Sequence, residues 1–261
     1  MKKIVLQGLL MVALFMGVFW GLSMVDWMGL FKVEKIKKAS DEKLGRVFWD
    51  IVRETEREEK DSVLVQPVQQ MLQHLVRSNG LDSTHFHLHL IRQKEVNAFA
   101  LPGGHLVVHT GLLKNVKSEA ELAGVLAHEM AHVTLDHVMK TLVKEIGVST
   151  LTAITTGGGE LAREAVQYLG SAAFSRQLEA AADAQAVAYV TKAKMDPMAM
   201  ADFLLRMSED NADLEAYTSW LNTHPAGKER AAEIKALRGT ATIQSVPVLS
   251  TQAWTKMKAA L

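Results

Sequence analysis

The 261-residue sequence contains no cysteine. That absence excludes disulfides, cysteine nucleophiles, thiolate metal sites and an N-terminal lipidated cysteine, and it leaves the redox compartment open. Any metal must therefore be held by histidine and carboxylate. The chain also lacks a charge excess, with 29 basic and 29 acidic residues, so nothing in it argues for nucleic acid or another polyanionic partner. Low-complexity tracts and internal repeats are missing as well. With 48% apolar and 22% charged residues, the composition is that of a folded protein with a real core.

Long apolar runs are absent too, with one exception. Lys2 and Lys3 precede an uncharged stretch from Ile4 to Val25, 22 residues, which suffices to cross about 30 Å of hydrocarbon as a helix. Trp20 and Trp27 stand near its far end, where interfacial aromatics belong. The expectation is a membrane anchor over residues 1–31 followed by one folded domain over 32–261. A cleaved signal peptide is the alternative, since Gly21 and Ser23 supply small residues two apart. Lys32, Lys35, Lys37 and Lys38 compete with Lys2 and Lys3 in setting the orientation.

Beyond residue 32 the pattern is helical, with Leu44, Val47, Phe48 and Ile51 forming one apolar stripe, and a second amphipathic helix spans Val63–Arg77. His85–Leu90 alternates polar and apolar and predicts a strand. Its three histidines are read as the wet face of an outer strand, because no carboxylate alternates with them. Two more strands, Val96–Ala100 and His105–His109, flank Pro102-Gly103-Gly104. Ser118 and Glu121 form a capping box for a helix running to about Lys144. Residues 147–159 read as a connection, Glu160–Ala193 as a long helix, and helices begin near Asp196 and Ala226. The tail after Gly239 carries no clear signal. The fold class expected is α+β, mainly helical, with a small sheet.

The chemistry centres on His128-Glu129-Met130-Ala131-His132. Helical residues four apart share a face, so both imidazoles converge on one ion, and Glu129 leans over it as a general base. The flanks (Ala123, Gly124, Val125, Leu126 and Ala127) mark a buried helix, where unpaired polar groups cost several kcal/mol. A catalytic zinc takes three protein ligands and keeps one position open. His137 lies five residues past His132, about 140° around a continuous helix, and is set aside. Glu179 is the better third ligand. Asp183, one turn on, shares its face and is placed to orient a ligating histidine.

These motifs, in this order, resemble the zinc peptidases of family M48 (the Oma-type, HtpX-type and BepA-like membrane quality-control proteases). The resemblance covers residues 41–237. It rests on Asn97–Gly104, Glu121–His132, Ser175-Arg176 with Glu179 and Ala182-Asp183, and Thr223-His224-Pro225 followed by Arg230. Two positions depart from the family pattern: Ala181 stands where a second glutamate is common, and Asn222 where serine is. The resemblance implies a gluzincin-type metalloendopeptidase with one zinc ion per chain, acting on misfolded or misassembled membrane and envelope polypeptides. It implies a single N-terminal span with the catalytic domain outside the cytoplasm. It assigns His224 to oxyanion stabilisation, with Arg230 in support, or else makes His224 a fourth ligand that keeps the enzyme latent. Val107, Val108 and His109 are expected to pair with an extended substrate by strand addition. The competing reading is a zincin fold that serves mainly as a chaperone or binding module.

Overall fold

The computed structural model describes Met16 and residues 33–171, 173–209, 220, 222–225, 227–238 and 245–261. The run Ile4–Val25 expected to span a membrane lies outside the described residues apart from Met16. Among the described residues no helix is long and apolar enough to cross one. Contacts divide the chain into Met1–Ser40 and Asp41–Leu261.

Helix α1 (Val33–Thr55) carries Leu44, Phe48 and Val52 into the core. Helix α2 (Ser62–Asn79) starts where the Asp61 side chain accepts from the Val63 N–H, and it stops at Gly80 in the left-handed region. Both ends follow the usual chemistry of helix caps. Strand β1 (His87–Ile91) follows a single 3-10 turn (Ser83–His85), so the expected strand starts two residues late. Strands β2 (Ala98–Leu101) and β3 (His105–His109) are joined by a 3-10 turn at Pro102–Gly104. In that turn Gly104 has φ +75°, and a Cβ there would lie 1.7 Å from the His85 carbonyl oxygen. Only glycine fits.

The strand order is β1-β3-β2, with β3 parallel to β1 and antiparallel to β2. Strand β3 is therefore central. Both of its edges are taken, so Val107, Val108 and His109 cannot accept a substrate strand by edge pairing. The outer edge of β1 is covered by residues 57–59, through Glu59 N–H to Leu90 O and Arg92 N–H to Arg57 O. The "wet face" of β1 is only partly wet. His89 stacks on Trp49 at 3.5 Å and lies 2.8 Å from His105 Nδ1 through its Nε2.

After β3 come α3 (Thr110–Asn115), α4 (Glu119–Thr134), α5 (His137–Thr155), α6 (Gly159–Ser171), α7 (Arg176–Lys192), α8 (Met198–Glu209), α9 (Gly227–Arg238) and α10 (Thr251–Ala259). The helix expected from Ser118 to Lys144 is broken at Asp136, which adopts φ 59°, a left-handed conformation aspartate tolerates. Helix α5 then continues through most of the stretch read as a connection, kinking at Gly147. The long helix expected over residues 160–193 is two helices, the second capped by Ser175, whose hydroxyl accepts from Leu178 N–H. The tail read as featureless carries α10, capped by Ser250.

Helix α4 is the hub, packed on β2, α2, α7 and α8. Ser118 caps it by accepting from Glu121 N–H, and Glu121 is gripped at 2.7 Å by two Arg206 nitrogens from α8. At Gly124 the Met200 Cβ would come within 2.6 Å of an added Cβ, so a small residue lets α8 approach α4 closely.

Candidate metal centre

Helix α4 supplies His128, Glu129 and His132 on its buried face, and α7 supplies Glu179 and Asp183 one turn apart. Because α4 and α7 pack face to face, the two sets meet. His128 Nε2 and His132 Nε2 are 3.0 Å apart. Glu179 Oε2 lies 3.5 Å from His128 Nε2, and Oε1 lies 3.3 Å from His132 Nε2. Tetrahedral zinc with bonds of about 2.0–2.1 Å separates its ligand atoms by roughly 3.3 Å. His224, from the segment before α9, adds Nδ1 at 3.1 Å from Glu179 Oε1 and 3.3 Å from His128 Nε2. One donor atom from each of these four buried residues lies within 4.8 Å of the others, so the cluster is able to bind one metal ion.

A second layer of side chains fixes the donors. His128 Nδ1 lies 2.9 Å from Asp183 Oδ1, close enough for an ion pair although off the line of a hydrogen bond. Arg230, 3% exposed, forks onto Asp183 through Nε and Nη2, both at 2.7 Å, and reaches Glu179 Oε2 at 2.6 Å through Nη1. The same Nη1 donates to the His224 carbonyl at 3.3 Å. His137, set aside from the sequence, approaches His132 Nδ1 with its own Nδ1 at 3.2 Å. It fills on His132 the outer role that Asp183 fills on His128. Ring walls that the sequence did not announce complete the site: Phe174 stacks on His132 at 4.0 Å, and Trp220 lies 4.2 Å from His224.

The electrostatics match a cation. Burial alone disfavours a charged Glu179, yet His224 and His128 hold its carboxyl well below the usual range. Asp183 is likewise held low, against burial, by Arg230 and His128. Two carboxylates against one guanidinium leave the cluster short of positive charge. His128 makes up the difference: burial opposes its protonation, but Glu179 and Asp183 raise it to about 9. Burial pushes His132 well down, and protonated His128 beside it adds to the effect. A divalent cation would satisfy the same deficit while displacing that proton. Glu129 is different. Burial raises its pKa, partly offset by His224, and neither carboxylate oxygen has a hydrogen-bond partner among the described residues. His224 Nε2 lies 3.5 Å from its Oε1. A buried, unpartnered carboxyl beside a metal cluster is expensive to keep for structure alone.

The residues expected to bind substrate stand elsewhere. Val107 and His109 line a cavity on one face of the sheet, while Val108 is buried on the other.

The chain is similar to known proteins. Residues 64–238 match Peptidase family M48. A beta-barrel assembly-enhancing protease of Escherichia coli strain K12 is 30% identical over 189 residues, covering 67% of this chain and 39% of that protein. The corresponding protein of Yersinia pestis is 29% identical over the same shares. The mitochondrial metalloendopeptidase OMA1 of Schizosaccharomyces pombe is 30% identical over 172 residues, 64% of this chain and 51% of that one. The chain thus spans about two-fifths to one-half of the length of these relatives. With two-thirds of its length matched, and the matched segment containing every residue of the buried cluster, the chain belongs to peptidase family M48.

Proposed function

We propose that this protein is a zinc-dependent endopeptidase in which His128, His132 and Glu179 hold the metal and Glu129 is the general base. The observation that carries the reading is the convergence of these buried donors beside a carboxyl that has no structural partner. When bound, zinc supplies Lewis acidity, lowering the pKa of water to about 7 and polarising a carbonyl. Glu129 accepts a proton at its carboxylate and returns it to the leaving amine nitrogen, a role its raised pKa suits. Asp183 and His137 lie against the outer nitrogens of His128 and His132, where they would orient the two rings as ligands. Arg230 locks Asp183, Glu179 and the His224 backbone into one unit.

His224 has two roles in this reading. Its Nδ1 stands among the donor atoms, so in this conformation His224 would serve as a fourth ligand and keep the enzyme latent. Once withdrawn, the ring is placed to donate to the substrate carbonyl oxygen as that oxygen gains charge. In the latent arrangement His224→Ala raises basal cleavage. A tenfold or greater fall in cleavage with zinc content intact assigns His224 to the oxyanion instead.

The names of the relatives, a metalloendopeptidase and a beta-barrel assembly-enhancing protease, support polypeptide substrates, which this reading takes, from the family resemblance, to be misfolded or misassembled membrane and envelope proteins. The uncharged run Ile4–Val25 supports a single N-terminal span, and the resemblance to single-span periplasmic members of the family supports a catalytic domain outside the cytoplasm. Protease accessibility in spheroplasts tests that placement, and protection of the domain contradicts it. For the activity, purified protein is stripped with a chelator and assayed on casein as zinc is restored. Cleavage that recovers with one equivalent of zinc supports the proposal, and cleavage indifferent to the chelator overturns it.

A further inference from the structure

The sheet carries a second group of imidazoles that shares no residue with the metal centre. His87 and His89 are two apart on β1, and His105 is the register partner of His87 on parallel β3. All three side chains therefore leave the same face of the sheet. His89 Nε2 lies 2.8 Å from His105 Nδ1, and the ring centroids of His87 and His105 are 4.8 Å apart. At 2.8 Å the first two nitrogens share one proton between them. Alternation along β1 announces His87 and His89, but His105 joins them only through strand pairing.

The surroundings hold two of the rings in place. His89 stacks on the Trp49 indole of α1, with centroids 3.5 Å apart and planes inclined by 17°. Its other nitrogen, Nδ1, faces Glu58 Oε1 at 4.0 Å, and Glu58 is itself bridged to Ile91 at the outer edge of β1. A ligating histidine commonly turns its second nitrogen toward a carboxylate, and Glu58 stands in that position. His105 is buried, with Arg46 and Asp50 acting on it in opposite senses. His87 is exposed, so its ring can turn about the Cα–Cβ bond toward the other two.

We propose that His87, His89 and His105 form a second metal site, which takes a divalent transition-metal ion and prefers Cu2+ to Zn2+. Imidazole donors suit both ions, and at a site of given donors Cu2+ binds more tightly than Zn2+. On binding, His87 swings in to complete the set. The proton shared by His89 and His105 moves to the outer nitrogen of the ring that carried it, which is Nδ1 for His89, facing Glu58, or Nε2 for His105. The three donors include no carboxylate, unlike His128, His132 and Glu179, so the first equivalent of zinc loads the metal centre. Occupancy of the outer site ties β1 to β3 beside the contact that Trp49 makes from α1.

The test is a Cu2+ titration of protein already carrying one equivalent of zinc, with glycine as a weak competing chelator. Metal per chain is read by mass spectrometry and the ligands by electron paramagnetic resonance. Wild type is expected to take up one Cu2+ with nitrogen superhyperfine structure while its zinc stays at one equivalent. His87→Ala, at an exposed position, and His105→Gln should each weaken Cu2+ binding by about tenfold or more, because even an outer partner of a ligand is worth that much. Both should keep the zinc. Thermal unfolding checks that each variant is folded, and His87→Ala decides alone if His105→Gln is not. No Cu2+ uptake by wild type, Cu2+ that only displaces the zinc, or a folded His87→Ala protein that binds Cu2+ as tightly as wild type overturns the proposal.

Discussion

Replacing Arg230 by methionine keeps most of the side-chain volume and removes the guanidinium from a site that is 3% exposed. In the native protein that group neutralises Asp183 through two 2.7 Å contacts and reaches Glu179 at 2.6 Å. Removing one partner of a buried ion pair costs about 3–5 kcal/mol, because the remaining charge has no water to turn to. Asp183 would then be left with His128 alone, and its carboxyl, now held low, would climb toward protonation. For a unit the size of Asp41–Leu261, 1 kcal/mol moves Tm by about 2–4 °C, so the metal-free variant should melt roughly 6–20 °C below wild type. Zinc at Glu179 compensates part of the lost charge, so the zinc-loaded pair should differ by less. Arg230→Lys retains charge but loses the fork and should fall between. Differential scanning calorimetry with and without a chelator measures all six states. A metal-free Arg230→Met protein that melts within about 2 °C of wild type refutes the reasoning.

Three further perturbations test separate parts of the account. His137→Phe removes the outer partner of His132 and should weaken zinc binding about 10–100-fold, while His137→Gln, which keeps an acceptor, recovers most of it; competition with a chromophoric chelator reads this, and equal affinities contradict it. Gly124→Ala drives a Cβ to 2.6 Å from Met200 Cβ and should cost about 1–3 kcal/mol in urea unfolding; an unchanged midpoint shows that α8 can retreat. Burial, with mutual repulsion among the histidines, depresses His89 to about 3 and His105 to about 4. Both folded values lie below that of the unfolded chain, about 6.5, so the unfolded state binds more protons as the medium acidifies. Their contribution is complete above pH 6.5 and is lost as pH falls toward 4, by on the order of 3 kcal/mol for each histidine. The double variant His89→Gln/His105→Gln should therefore show a flatter decline in stability between pH 6.5 and 5 than wild type; parallel declines count against the histidine pair.

Much of the centre was legible because its signals are local. Two histidines one helical turn apart, a carboxylate beside the first, and a Glu–Asp pair on a second small-residue helix require only helical periodicity. Ser118 and Glu121 announced the start of α4 because capping is a short-range interaction. What escaped was decided by breaks and by pairing at a distance. His137 was set aside on the geometry of one continuous helix, but the chain turns at Asp136 with φ 59°, and the 140° argument no longer applies. The order of three short strands cannot be read from alternation, so the sequence alone does not reveal that β1 and β2 close β3 on both sides. Nothing local in the sequence marks Phe174 and Trp220, and only the tertiary fold stacks the first on His132 and sets the second against His224.

The central claim is that Glu129 moves the proton while His128, His132 and Glu179 hold the zinc. Glu129→Gln separates these roles, because the amide keeps the shape and volume but cannot accept the proton. Zinc per chain and cleavage of a peptide substrate, measured on the same preparations of wild type and variant, test it most directly. The account predicts one zinc in both proteins and a loss of cleavage of about 10²–10⁴-fold in the variant. A variant that keeps its zinc and cleaves at the wild-type rate would contradict it.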